Sequence, residues 1–174
     1  PIIIRKRYVL ESKNQSYDAV NNGCEIIESY DKFEVLSCDE KTAEEFNLSE
    51  DLEIFVSDID VNEAVSANFA TNLDFTGKGV TIAILDSGYN YNHPDLASSY
   101  AGGYDFVNND DDPMDDYEHG SHVAGIITSD GIDSRSKGIA PDAKIVAIKV
   151  LDQYGSGYLS KVANSIYYTV DNYD

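Results

Sequence analysis

The fold is decided by the stretch Val80-Thr81-Ile82-Ala83-Ile84-Leu85-Asp86-Ser87-Gly88. Its first six residues are apolar except for Thr81, which is the pattern of a parallel strand buried on both faces. An acidic residue follows directly, and Gly88 lets the chain turn sharply. Because open α/β sheets build their sites at the carboxyl ends of the strands, this stretch predicts an α/β domain with a functional carboxylate at Asp86.

A second motif, His119-Gly120-Ser121-His122-Val123-Ala124-Gly125, begins 33 residues after Asp86 and opens a helical pattern that runs to Ser129. A serine hydrolase needs a base and a carboxylate that holds the base in the correct tautomer. We therefore predict that Asp86 and His119 form a catalytic pair within hydrogen-bonding reach. His122 lies nearly one turn inside the helix and is predicted to be a packed structural residue.

The α/β pattern continues beyond this helix. Residues 144–151 read as a second buried strand, and residues 159–172 as a helix with Leu159, Val162, Ile166 and Val170 at helical spacing. The polar segment 89–118 is predicted to be a long loop. Strands that alternate with helices predict a parallel sheet with right-handed crossovers.

The N-terminal part reads as a separate α+β unit covering residues 1–60, followed by a connector at 61–76. Asp39 is placed to cap a helix that runs to Phe46. The predicted order is βαββαβ, the ferredoxin-like arrangement. Its strands are expected at 2–10, 24–30, 33–38 and 53–59, and its first helix at 16–22.

In this order, the two motifs resemble the first two members of the Asp, His, Ser triad of subtilases, the subtilisin-like serine proteases. Asn92-His93-Pro94-Asp95-Leu96 and the segments 137–143 and 149–152 extend the resemblance. It implies that residues 77–174 are the N-terminal part of a subtilisin-like catalytic domain, preceded by a propeptide of the inhibitor I9 type. The chain departs from the family at Tyr117-Glu118, where a small, glycine-containing pair commonly precedes the histidine.

The function that this resemblance implies is hydrolysis of peptide bonds by a serine endopeptidase. These 174 residues contain no Gly-Thr-Ser nucleophile turn and no oxyanion-hole asparagine of the family pattern. Since loss of the nucleophile alone costs about 10⁶ in kcat in subtilisin, this segment by itself is expected to be inactive. The expected partners are the missing C-terminal part of the catalytic domain and an extended polypeptide substrate. The alternative is a pseudoprotease that keeps the groove only to bind a peptide.

A glycine-rich segment, Gly155-Ser156-Gly157, resembles the substrate-binding edge of subtilases. The resemblance implies that its backbone pairs with an extended peptide as an added strand, with Tyr158 beside a neighbouring apolar subsite. The alternative is a plain glycine-rich loop.

The acidic segment 104–113 places oxygen-bearing side chains at a spacing that suits a hard cation such as Ca²⁺. It resembles the calcium loop of thermitase-like subtilases, which implies Asp105, Asn108, Asp110 and the Asp112 carbonyl as ligands. The alternative is a solvated acidic loop. A different calcium loop of the family, which would lie at 130–137, is expected to be absent. We expect no organic cofactor.

Thirty-two acidic residues against twelve basic ones give a net charge of −20, which argues against nucleic acid and anionic membranes as partners. No apolar run approaches the length of a membrane span. The chain starts at Pro1 without a signal-peptide pattern, and the family resemblance implies a secreted or cell-envelope location. For the two cysteines, Cys24 and Cys38, the sequence favours buried thiols over a disulfide.

Overall fold

The computed structural model describes residues 4–11, 13–55, 73–132 and 137–173. They divide into two compact units, Pro1–Glu53 with Tyr158–Ser160, and Ile54–Gly157 with Lys161–Asp174. The predicted connector falls largely on residues 56–72, outside the described residues. Over the described ranges, every helix falls short of the length and apolar content that a membrane crossing requires.

The first unit contains six elements in the order β-α-β-β-α-β: β1 (Arg5–Leu10), α1 (Lys13–Asn21), β2 (Glu25–Ser29), β3 (Glu34–Asp39), α2 (Glu40–Glu45) and β4 (Ser49–Glu50). A short strand, β5 (Glu53–Phe55), begins at the last residue of this unit and continues into the second. The sheet order is β2-β3-β1-β4, with antiparallel pairing throughout. Asp39 caps α2 by accepting a hydrogen bond from the Thr42 N–H, as predicted. The final strand of this sheet is β4, earlier in the chain than the predicted 53–59.

The two cysteines form a disulfide, so the preference for free thiols was wrong. The antiparallel register pairs Glu25 with Ser37, which sets Cys24 opposite Cys38 at a Cα–Cα distance of 4.5 Å. That distance is typical of a directly opposed pair in an antiparallel ladder and lies within the range that a disulfide spans. The sequence separation of the cysteines carried no sign of this pairing, because only the register of β2 and β3 creates it.

The second unit is built on a parallel sheet in the order β6-β8-β7. Its elements are β6 (Thr81–Asp86), β7 (Tyr100–Asp105), α3 (His119–Thr128), β8 (Lys144–Lys149), β9 (Ser156–Tyr158) and α4 (Leu159–Asn172); the last two extend into the first unit. Alternate residues of β8 enter two separate clusters: Ile145 and Ala147 pack in one, and Val146 and Ile148 in the other. The central strand is therefore buried on both faces, as its apolar sequence predicted. Strand β6 was predicted to be buried on both faces as well, which was wrong: it lies at the edge of this sheet, and among residues 81–86 only Ile84 is buried.

Strand β7 lies inside the segment predicted to be loop. Its sequence, Tyr100-Ala101-Gly102-Gly103-Tyr104-Asp105, is poor in β-forming residues. The backbone of Gly103 approaches β8 so closely that a Cβ would lie 1.9 Å from the Ala147 carbonyl oxygen. The glycine that argues against a strand in sequence is thus required by the packing of the strand.

Helix α4 begins and ends where predicted, but its apolar spacing does not mark a buried face. Leu159, Ile166 and Val170 are exposed, whereas Ser165 is fully buried. Val162 is the member of the predicted set that packs against the cluster around Val146.

Candidate active site

The predicted pair comes together at the carboxyl end of the parallel sheet. Asp86 is the last residue of β6, and His119 is the first residue of α3. The His119 Nδ1 lies 2.9 Å from both carboxylate oxygens of Asp86, which confirms the predicted proximity. A carboxylate accepts from Nδ1–H, so the neutral ring carries its proton on Nδ1 and presents Nε2 as the acceptor nitrogen. Both side chains are partly buried, with 13% of Asp86 and 22% of His119 exposed.

A second link joins the same two segments one residue further along. The Gly120 N–H donates to Ser87 Oγ at 2.9 Å, and the Ser87 N–H donates to Asp86 Oδ1 at 2.6 Å. Ser87 is fully buried. The dipeptides Asp86-Ser87 and His119-Gly120 are therefore joined by two hydrogen bonds, one between side chains and one from a backbone N–H to a side chain. Together they hold the ring of His119 beside the Asp86 carboxylate.

Two glycines permit this close approach. A Cβ on Gly120 would lie 2.2 Å from the Gly88 carbonyl oxygen, and a Cβ on Gly88 would lie 2.7 Å from the Asp115 Cα. Gly88 also has a φ of 126°, which an L side chain rarely adopts. The sequence assigned Gly88 to a sharp turn, and the structure confirms this.

Sequence reasoning missed the side-chain role of Lys149. This lysine ends β8 with its side chain 1% exposed. Its Nζ donates to the carbonyls of Ser87 and Leu151, at 2.5 and 2.9 Å, and forms an ion pair with Asp116 at 2.5 Å. A buried cation thus connects the residue after Asp86, the segment before His119 and the end of β8. A lysine at the carboxyl end of an otherwise apolar strand was the available signal.

The predicted substrate edge is extended over Ser156–Tyr158. Asp152 Oδ1 accepts from the N–H groups of Tyr154 and Ser156, at 2.9 and 3.1 Å, which closes the loop before the strand. A Cβ on Gly157 would lie 2.3 Å from the Val150 carbonyl oxygen. This glycine is therefore required by contacts within the chain itself.

The neighbours of the edge differ along its length. Gly155 has a φ of 71°, and a Cβ there would lie 2.7 Å from the ring of Tyr117, two residues before His119. The last edge residue, Tyr158, belongs to the first unit, where the Arg7 guanidinium lies 3.9 Å from its ring centroid. The edge and the histidine segment thus meet at the contact between Gly155 and Tyr117.

The predicted calcium ligands lie in one loop that an Asp105–Asp110 bridge closes. The Asp105 carboxylate is buried and accepts from the N–H groups of Val107 and Asn108 at 2.6 and 2.9 Å, and from Asn108 Nδ2 at 2.9 Å. Asp110 accepts from the Asp112 N–H at 3.0 Å.

Asp112, the last of the predicted ligands, has a partner outside this loop. Tyr91 OH donates to its carboxylate at 2.6 Å, and this hydrogen bond raises the pKa of Tyr91 to about 12. Over the described ranges, no three acidic, histidine or cysteine side chains gather as a group that could hold a metal ion. The oxygen atoms of these residues are of the kind that Ca²⁺ binds. In this structure their side chains form hydrogen bonds with neighbouring groups of the protein.

Two other predicted features can be located. His122 is exposed, so its predicted packing was wrong; it faces an open cavity that His93 and Ile126 also line. Asp95 is buried and accepts from the Ile132 N–H at 2.7 Å. The second calcium loop, which we expect to be absent, would lie at 130–137, and residues 133–136 of that segment lie outside the described residues.

Comparison with known proteins gives consistent matches. The family model of the subtilase family, peptidase S8, matches residues 77–173. Thermitase of Thermoactinomyces vulgaris is 48% identical over 98 residues, which are 55% of this chain and 34% of thermitase. The minor extracellular protease Vpr of Bacillus subtilis is 43% identical over 109 residues, which are 56% of this chain and 13% of that protein.

A solved structure agrees with these matches. The crystal structure of a cold-adapted subtilisin-like serine proteinase superposes with a TM-score of 0.53 at 38% identity, and covers 58% of this chain and 35% of that one. The chain thus spans about a third or less of the lengths of the curated relatives named here. The family model covers more than half of the chain, and the chain belongs to the subtilase family.

Proposed function

We propose that these residues are part of a serine endopeptidase of the subtilisin type, in which Asp86 and His119 are two members of the catalytic triad. The observation that carries the proposal is the 2.9 Å contact between His119 Nδ1 and the Asp86 carboxylate at the carboxyl end of β6. His119 Nε2 would take the proton of a serine hydroxyl and return it to the leaving amine, while Asp86 stabilises the imidazolium.

The nucleophilic serine and the oxyanion-hole asparagine are proposed to come from outside these 174 residues. Ser87 and Ser121 are engaged in hydrogen bonds with Gly120 and Asp115, and Ser160 and Ser165 lie within α4. None of them stands at the strand-to-helix turn on which a subtilase nucleophile is expected.

A fluorophosphonate probe tests the triad directly. It should label the complete protein and leave residues 1–174 unlabelled, and His119→Ala should abolish labelling of the complete protein. His122→Ala, an exposed histidine on the same helix, is the matched control and should retain it. Labelling that survives His119→Ala would overturn the assigned role; peptide binding by a complete protein that never labels would favour the pseudoprotease.

We propose that Gly155, Ser156, Gly157 and Tyr158 bind an extended polypeptide by strand addition. The extended backbone of Ser156–Tyr158, which already pairs with β5 of the same chain, supports this. Peptide substrates N-methylated at alternate backbone positions test it, because methylation removes the N–H that a ladder uses. KM should rise for one alternation and not for the other; equal KM values for both would contradict strand pairing.

We propose that Asp105, Asn108, Asp110 and the Asp112 carbonyl hold a structural Ca²⁺. Support comes from their oxygen donors, the closed loop and the surplus of negative charge. Bound calcium would stabilise the folded state by about 2.7 kcal/mol at a hundredfold excess over Kd. The melting temperature should therefore rise in millimolar Ca²⁺ and return to its original value with EDTA, and an unchanged value would leave the solvated loop.

We propose that the first unit is a ferredoxin-like propeptide of the inhibitor I9 type. The β-α-β-β-α-β order and the sheet order β2-β3-β1-β4 support this assignment. N-terminal sequencing of the active complete protein should find a new terminus between residues 54 and 77. An active protein that keeps residues 1–53 attached would contradict a removable propeptide.

We propose a secreted or cell-envelope location. The Cys24–Cys38 disulfide supports it, because disulfides persist mainly in oxidising compartments. Cell fractionation followed by thiol alkylation tests both points together: the protein should lie outside the cytoplasm with no alkylated cysteine.

A further inference from the structure

Asp115 lies four residues before His119 and carries a dense set of hydrogen bonds. Its Oδ1 accepts from Ser87 Oγ at 2.8 Å and from the N–H groups of Tyr117 and Glu118 at 3.1 and 3.0 Å. Its Oδ2 accepts from the N–H and the hydroxyl of Ser121, at 2.8 and 2.6 Å. Five donors therefore converge on one half-buried carboxylate.

We propose that Asp115 is a positioning residue for the Asp86–His119 pair, a role that rests on the proposed protease function. Asp115 joins the two segments that carry the pair, because it holds Ser87 after Asp86 and Ser121 after His119. With both oxygens saturated by donors, it is not placed to exchange protons with a substrate.

The first part of this role is to cap helix α3. The residue at the N-cap is Glu118, whose side chain makes no capping hydrogen bond and whose φ is 76°. Asp115 supplies the missing acceptor from three residues earlier by binding the Ser121 N–H. A negative charge at this end also interacts favourably with the helix dipole. Asp115 thereby fixes the direction of the helix turn on which His119 stands.

The second part is to orient the hydroxyl of Ser87. Because Ser87 Oγ donates to Asp115, its lone pairs face the Gly120 N–H, from which it accepts at 2.9 Å. Without Asp115 the hydroxyl can rotate, and the link between the Asp86 and His119 segments weakens. Burial disfavours the ionised carboxylate, but the hydrogen bonds from Ser121, Tyr117 and Ser87 outweigh burial and lower the pKa of Asp115. The side chain is thus a carboxylate at neutral pH, able to accept all five donors.

The test is Asp115→Asn, which keeps the shape but turns an NH₂ group toward one set of donors. The readout in the 174-residue chain is the downfield proton NMR resonance of His119 Nδ1–H, which reports the hydrogen bond to Asp86 and requires no catalysis. We expect this resonance to broaden or move upfield in a variant whose circular dichroism is native. Asp142→Asn, at an exposed aspartate, is the matched control and should leave it unchanged.

Ser87→Ala is the second variant, in case Asp115→Asn does not fold. It removes the Ser87 link while leaving Asp115 to cap the helix through Ser121, and we expect the same change in the resonance. An unchanged resonance in either variant that folds would overturn the positioning role and leave Asp115 as a helix cap alone.

In the complete protein, Asp115→Asn should lower kcat at least about tenfold with KM nearly constant, since small misplacements of reacting groups act on the chemical step. A change confined to KM would also overturn the proposal. If the complete protein proves inactive, the proposed function fails on its own assay, while the NMR result still decides whether Asp115 aligns the pair.

Discussion

At the candidate active site, the Asp86 carboxylate contacts a partner 33 residues away, whereas in the loop 105–112 the Asp105 carboxylate binds groups two and three residues away. The first arrangement exists only because strand β6 and helix α3 pack together. The second can form wherever the loop itself is intact. The contact of Asp86 therefore depends on the packing of strand against helix, while the contacts of Asp105 depend on the local conformation of its own loop.

The sharpest test of this contrast is Asp86→Asn in the complete protein. The amide NH₂ would face His119 Nδ1 and favour the wrong tautomer of the ring, so we expect kcat to fall about 10⁴-fold. Steady-state kinetics measure this, with Asp112→Asn as the control in the loop. A loss below tenfold for Asp86→Asn would remove the distinction between the two regions.

Lys149→Met tests how much the buried cation of the candidate active site contributes to the stability of the fold. The substitution leaves the carbonyls of Ser87 and Leu151 without their donor, and we expect a loss of about 2–3 kcal/mol in the free energy of unfolding. Lys144→Met, which removes an exposed lysine, should cost less than about 0.5 kcal/mol. Urea unfolding compares the two, and equal losses would show that Lys149 is no more important than a surface lysine.

Within the loop, Asp105→Asn and Asp112→Asn should lower the free energy of unfolding by different amounts when urea unfolding is measured in EDTA. Asp105 is buried and accepts from three donors, so its loss should cost about 2 kcal/mol. Asp112 is exposed and keeps one hydrogen bond, from Tyr91, and its replacement should cost less than about 1 kcal/mol. A larger loss of stability for Asp112→Asn than for Asp105→Asn would show that the local hydrogen bonds of Asp105 do not stabilise the loop.

Glu118→Gly should stabilise the protein. Glu118 adopts a left-handed φ of 76° at the start of α3, where glycine carries no steric penalty. We expect a gain of about 0.5–1 kcal/mol in thermal or urea unfolding, reduced by the greater entropy of glycine in the unfolded chain. Glu40→Gly, within the first turn of α2, should instead lose about as much. A lower stability of Glu118→Gly would show that the Glu118 side chain stabilises the protein by more than its left-handed backbone conformation destabilises it.

Much of this architecture follows from the sequence alone. The apolar run before Asp86, the helix that begins at His119 and the cap at Asp39 are local patterns, in which side-chain periodicity and hydrogen-bonding chemistry act within a few residues.

Several contacts between residues that are distant in the chain were set by the tertiary structure and could not be read from the sequence. The register of β2 and β3 sets Cys24 opposite Cys38, and the approach of β7 to β8 requires Gly103 in a strand that propensity argues against. Likewise, the sequence does not show which groups surround Lys149 and Asp115. They acquire their roles because the packed sheet and helix bury Lys149 and half-bury Asp115, and a charge withdrawn from water must be matched by the groups that the fold places around it.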